Sequence, residues 1–153
     1  MGGYGGASGK IKDGCYYDSG NKKVTDKNAI AVAEYYLSLG MYVVFLHEKP
    51  ENGEGRPDLL VDFELFVEVK GIGSTKAGTI SKQIKHASRQ ISDELARRPD
   101  DEQLPGKIVI LSLHETFEAG FKAVYEGYQE AKRKDQVHFQ TEFWFHGEIH
   151  ILE

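Results

Sequence analysis

Three charged side chains stand where an apolar strand would not ordinarily carry them. They are Asp58, Glu68 and Lys70, within Arg56-Pro57-Asp58-Leu59-Leu60-Val61-Asp62-Phe63-Glu64-Leu65-Phe66-Val67-Glu68-Val69-Lys70-Gly71. The stretch reads as two short strands joined by a tight turn at Asp62, Phe63 and Glu64. Strand side chains alternate between faces, so Glu68 and Lys70 project from one face and Leu65, Val67 and Val69 from the other. Asp58 opens the first strand, and a hairpin would set it beside Glu68. Two carboxylates and an ammonium converging at one sheet edge suit a hard divalent cation with a charged assistant. Oxygen donors of this kind favour Mg²⁺ or Mn²⁺ over Zn²⁺.

Phosphodiester hydrolysis needs charge where the transition state develops it, on the phosphate oxygens and the leaving alkoxide. A bound metal can polarise the phosphate and lower the pKa of a coordinated water. Burial would push Lys70 below its usual pKa of about 10.4, and two neighbouring carboxylates would push it back up. Electrostatic stabilisation and positioning of the water are therefore its expected roles, with general-base action second.

The elements that must position these groups follow from pattern. Asp26 is an N-cap for a helix over 27–39, with Gly40 just past its end. Ile30, Ala33 and Leu37 form its apolar stripe, and Glu34 falls about 40° from Ile30, beside that stripe. There it would serve as a third acidic ligand, hold a second metal or sit at the edge of the stripe. A strand over 41–46 and a charged loop over 48–56 precede the hairpin. The loop 71–78 offers Ser74, Thr75 and Lys76 to an anion.

A helix over 79–97 comes next. Ile80, Ile84, Ala87, Ile91 and Leu95 make its apolar face, and Lys82, Lys85, His86 and Arg89 cluster opposite. Such a cluster reads either as a solvated face or as a phosphate-tracking surface. Gln83 and Gln90 lie between the two faces. A strand over 107–113, a helix over 116–132 and strands over 137–145 and 149–152 complete the chain. Together they predict an α/β fold, a mixed central sheet with helices on both faces.

Length and composition bound the rest. The 153 residues, 40% of them hydrophobic, fit one domain over 11–153, and the Gly-rich residues 1–10 read as a flexible linker. Segment 11–25 is polar and offers no clear element. A single cysteine, Cys15, excludes a disulfide framework and a Cys-based zinc cluster. No apolar run is long enough to span a bilayer and no secretory signal is present, so a soluble protein acting in the cytoplasm is expected. The net charge of −5 argues against non-specific nucleic-acid binding through a basic surplus. A carboxylate site whose charge a metal cancels fits that balance equally well.

Pro57-Asp58, then Glu68-Val69-Lys70 after a hairpin, between a helix bearing Glu34 and a helix bearing Gln83, resembles the PD-(D/E)xK nuclease superfamily with its restriction-endonuclease-like core. The resemblance spans about 26–113. It implies a metal held by Asp58, Glu68 and the backbone carbonyl of Val69, Lys70 as the catalytic lysine and Glu34 as the accessory acid. The substrate would be DNA or RNA, tRNA included, bound through Lys76, Lys82, Gln83, Lys85, His86 and Arg89.

The run Ile80-Ser81-Lys82-Gln83-Ile84-Lys85-His86-Ala87-Ser88-Arg89-Gln90 and the small size also resemble C-terminal nuclease domains of contact-dependent growth-inhibition and related polymorphic toxins. Such a domain is delivered into a target cell and captured by a cognate immunity protein.

Three other readings compete. The same fold could serve as a non-catalytic nucleic-acid- or protein-binding module, with its charges in ordinary salt bridges such as Glu68 with Lys85. Gly73 to Gly78 has P-loop spacing, but Thr79 stands where the phosphate-binding lysine belongs. His146 and His150 with Cys15 or His47 would make a zinc site, yet no second paired motif accompanies them.

Overall fold

The computed structural model describes residues 15–47 and 55–153. The expected linker over 1–10 and most of the charged loop after the first strand lie outside the described residues. Three helices, α1 (Lys27–Ser38), α2 (Ala77–Ala96) and α3 (Phe117–Arg133), surround six strands: β1 (Val43–Phe45), β2 (Leu59–Val61), β3 (Leu65–Ile72), β4 (Gly106–Ser112), β5 (Gln140–Phe145) and β6 (Glu148–Leu152). The strands form one sheet in sequence order. β1, β2 and β3 run antiparallel to one another, β3, β4 and β5 run parallel, and β6 returns antiparallel. Parallel neighbours require crossovers, which α2 and α3 supply.

Local chemistry sets the boundaries. Asp26 caps α1 by accepting from the amides of Asn28 and Ala29, and Gly40 takes φ +82 beyond its end. In the β2–β3 turn Asp62 and Phe63 both adopt positive φ, and the Asp62 carboxylate accepts from Tyr42 N at 2.7 Å. That contact ties the turn to the approach of β1, while the bond from Glu64 N to Val61 O at 2.9 Å closes the turn in the register Val61↔Leu65. A one-residue slip would turn Glu68 and Lys70 to the opposite face.

The two faces of the sheet carry separate cores. Val43, Phe45, Leu59, Val61, Val67 and Val69 pack with Val32, Ala33 and Tyr36 of α1. Leu60, Phe66, Ile72, Ile108, Ile110 and Phe143 pack with the apolar faces of α2 and α3. Helices thus cover both faces, as the sequence predicts. The α2–α3 crossing is close: a Cβ on Gly127 would meet Ile80 Cγ2 at 2.6 Å. Among the described residues no helix is long and apolar enough to cross a membrane.

α1 departs from expectation in its rotation. Its buried residues are Ala29, Val32, Ala33 and Tyr36, while Ile30 and Leu37 are only partly covered. The true stripe is turned about 80° from one drawn through Ile30, Ala33 and Leu37. Tyr36 accounts for the difference. Its ring belongs in the core while its hydroxyl meets Lys107, so an amphipathic residue anchors the inward face.

Candidate active site

Asp58 is placed by contacts that precede it in the chain. Gly55 N donates to Asp93 Oδ2 at 3.1 Å, Arg97 donates to Gly55 O at 2.7 Å, and Arg56 Nε reaches Glu94 Oε1 at 2.9 Å. These bonds pin the entry to β2 against the C-terminal half of α2. On the other side, Leu46 N donates to the Asp58 carbonyl at 2.9 Å. The side chain then closes onto β3. Val69 N donates to Asp58 Oδ2 at 2.9 Å, Asp58 N donates to Glu68 Oε1 at 3.1 Å, and Lys70 Nζ stands 3.2 Å from Glu68 Oε2. Asp58, Glu68 and Lys70 therefore come together, and Lys70, not Lys85, is the ammonium that pairs with Glu68.

The electrostatics of this group are strained. Glu68 is 2% exposed. Burial above all, and then the Asp58 carboxylate beside it, push its carboxyl well above the usual range, against the pull of Lys70. Two carboxylates lie side by side and only Glu68 meets an ammonium, so with both ionised the group carries an excess of negative charge in a dry place. A dication would cancel that excess, so the donor set fits a hard metal.

Val69 extends the set. A strand residue directs its N–H and C=O to the same edge. With its N–H on Asp58, the Val69 carbonyl faces the space beyond the start of β2. Among the described residues no three His, Cys, Asp or Glu side chains are grouped to hold a metal, so the available protein donors are two carboxylates and this carbonyl. Mg²⁺ commonly completes such a set with water and substrate oxygens.

Glu34 is not brought to this group. It is exposed on α1 and accepts from the Tyr16 hydroxyl at 3.2 Å. It lies about 12 Å along the helix from Asp26, which lines the cleft beside Asp58, and about 150° around from the buried stripe. The expectation of Glu34 as a third acid is corrected accordingly: once α1 is seated on Tyr36 and Val32, position 34 faces outward.

The flank of α2 over the sheet carries Gln83 and Gln90, and His86 is exposed beyond them. Gln83 Oε1 and Gln90 Oε1 are buried without a hydrogen-bond partner among the described residues, although Gln90 Nε2 donates to Arg56 O at 3.4 Å. His86 is held below its ordinary pKa, first by burial and then by the nearby charges of Lys70 and Arg89. Lys82 and Arg89 are exposed, Lys85 is half-buried and Lys76 is exposed at the start of α2. The basic face thus points to solvent, while its amide flank lies toward the sheet.

This chain matches no family model, no curated protein and no solved structure. The functional reading accordingly rests on the residues and their geometry.

Sequence reasoning missed two sets of residues. A cleft of about 560 Å³ opens beside Asp58, lined also by Asp18, Lys22, Lys23, Asp26, Ala29 and His47. Part of its wall is the polar segment before α1, where Asp18-Ser19-Gly20-Asn21 signals a turn and nothing in the residue types announces a wall. The second set is Glu94 with Arg56, Arg97 and Arg98, the last two at 2.8 and 3.1 Å. Glu94 follows Ile91 at helical spacing, and that position was the available signal of a buried carboxylate.

Proposed function

We propose that this chain is a divalent-metal-dependent nuclease that hydrolyses phosphodiester bonds in DNA or RNA. One observation carries the reading: the closed run of contacts from Val69 N to Asp58, from Asp58 N to Glu68, and from Glu68 to Lys70. A purely structural ion pair needs one carboxylate for its ammonium. A second carboxylate kept beside the first in a buried site costs stability and favours a bound cation.

Asp58, Glu68 and the Val69 carbonyl would hold Mg²⁺ or Mn²⁺. When bound, the ion supplies positive charge to the phosphate oxygens and acidity to a coordinated water. Lys70, held by Glu68, directs its ammonium toward the same space, where it orients the attacking water and offsets charge growing on the phosphoryl group. Gln83, whose side-chain oxygen is buried without a partner among the described residues, offers an acceptor on α2. Lys76, Lys82, Lys85 and Arg89 would run along the phosphates on either side of the scissile bond, with His86 near enough to Lys70 to feel its charge.

Delivery into a competitor cell and capture by an immunity protein are part of the proposal. They rest on the likeness of residues 80–90 to toxin nuclease domains.

The test is incubation of the protein with plasmid DNA, total tRNA and a control RNA, each with Mg²⁺, Mn²⁺, Zn²⁺ or chelator. Cleavage of one substrate class in Mg²⁺ or Mn²⁺, abolished by chelator, is the expected result. Cleavage that persists in chelator would overturn the reading.

A further inference from the structure

The cleft beside Asp58 contains a second pair of polar groups built with more care than a surface contact requires. His47 Nδ1 lies 3.2 Å from Asp18 Oδ2. Asp18 is itself fixed, accepting on Oδ1 from Gly20 N at 2.8 Å and Lys22 N at 2.9 Å. Burial alone would raise its carboxyl, but the amides of Lys22 and Gly20 and the His47 ring outweigh it and hold the group below the ordinary range.

The backbone of His47 is held on both sides of its side chain, and Gly20 packs against the ring. His47 N donates to Ser19 Oγ at 3.0 Å, and Arg56 Nη1 donates to the His47 carbonyl at 3.3 Å. Gly20 packs so close to the ring that a Cβ there would lie 2.8 Å from both Cγ and Nδ1. The whole turn, closed by the Tyr17↔Lys23 bridge and the Ser19 N bond to Phe45 O at 2.9 Å, presents this ring.

An ionised carboxylate only accepts hydrogen bonds, so Asp18 assigns the proton to Nδ1 and leaves Nε2 as the nitrogen that can exchange one. Among the described residues Nε2 takes no hydrogen bond. Leu46, which bonds through its N to Asp58 O, is the residue opposite Asp58, and His47, one residue further on, lines the same cleft as Asp58.

We propose that His47 is a catalytic residue of this cleft, the general acid that protonates the leaving oxygen, and that Asp18 is its positioning residue. The inference rests on the nuclease reading above. Water forms the new P–O bond and releases a proton to solvent. The P–O bond to the departing sugar breaks with its electron pair on that oxygen, and the Nε2 proton of the imidazolium transfers to it. The products are a phosphate monoester and an alcohol, and solvent reprotonates His47. Lys22 and Lys23 on the same wall add positive charge that draws an anionic phosphate into the cleft.

The test compares leaving groups. Oligonucleotides of the class that the wild-type protein cleaves are prepared with the ordinary bridging oxygen, or with sulfur in the 3′ or the 5′ bridging position at the cleaved bond. A thiolate leaves without needing a proton, so loss of a general acid is repaired by sulfur at the leaving position. His47→Ala and His47→Gln are expected to cleave the oxygen substrate about 100-fold more slowly and one sulfur substrate at close to the wild-type rate. That restored rate also shows the variants to be folded. Asp18→Asn should show a smaller loss, repaired by the same substrate.

Equal losses on all three substrates, or no loss in either His47 variant, would overturn the role of His47 and leave the nuclease reading standing. Failure of the wild-type protein to cleave any of them in Mg²⁺ or Mn²⁺ would overturn both.

Discussion

Glu68 is the residue at which stability and chemistry oppose each other. Its carboxyl is buried, raised and crowded by Asp58, yet it is the partner of Lys70. Glu68→Gln removes the crowding while keeping shape, so the metal-free variant should be more stable than wild type by about 1 kcal/mol. It should also lose the thermal stabilisation that Mg²⁺ or Mn²⁺ gives the wild type. Melting curves with metal and with chelator measure both effects, and metal stabilisation surviving in Glu68→Gln would count against the site. The convergence of Asp58, Glu68 and Lys70 is legible because charges in apolar strands need partners. Glu34 was misread because an apolar count on α1 passed over Tyr36, whose ring is core while its hydroxyl is polar. Asp18 gave no such contrast, since its partner His47 lies 29 residues away.

At the scale of elements, α2 is the part whose placement decides the site. Its apolar face meets β3 and α3, its C-terminal half anchors the entry to β2, and its flank carries the buried amide oxygens of Gln83 and Gln90. Gly127 on α3 lets α2 approach. Gly127→Ala would push a methyl into Ile80 and toward the Ala77 carbonyl, 3.2 Å away. A loss of about 1–3 kcal/mol in chemical denaturation is expected. Ile84→Ala, at a fully buried position on the same helix, should cost about 2–5 kcal/mol. The helices and strands themselves were largely readable, since Ile80, Ile84, Ala87 and Ile91 keep a strict helical period and the β2–β3 turn bears polar residues. Strand pairing was less so. Nothing local in Lys107–Ser112 says that β4 lies parallel to β3, and only the helical crossover before it implies so.

For the molecule as a whole, the sheet joins an antiparallel meander to a parallel half, and β3 is the strand that belongs to both. The site sits on that strand, and the Glu94 cluster ties it to α2. Burial would raise Glu94, but Arg97, Arg56 and Arg98 overcome that and hold its carboxyl below the ordinary range. A depressed carboxyl contributes stability above the unfolded value near pH 4.3, and that contribution is lost as pH falls through the folded value. Glu94→Gln should therefore cost about 2 kcal/mol at pH 7, with the gap to wild type closing below about pH 4. Thermal unfolding of the two proteins across that range checks both the size and the sign.

The most direct measurement of the central claim is the Mg²⁺-dependent cleavage rate of wild type beside Asp58→Ala and Lys70→Ala, on whichever nucleic acid the wild type cuts. Both variants should fold and lose at least about 100-fold in rate. Cleavage surviving both substitutions at the wild-type rate would contradict the assignment of the site to these residues.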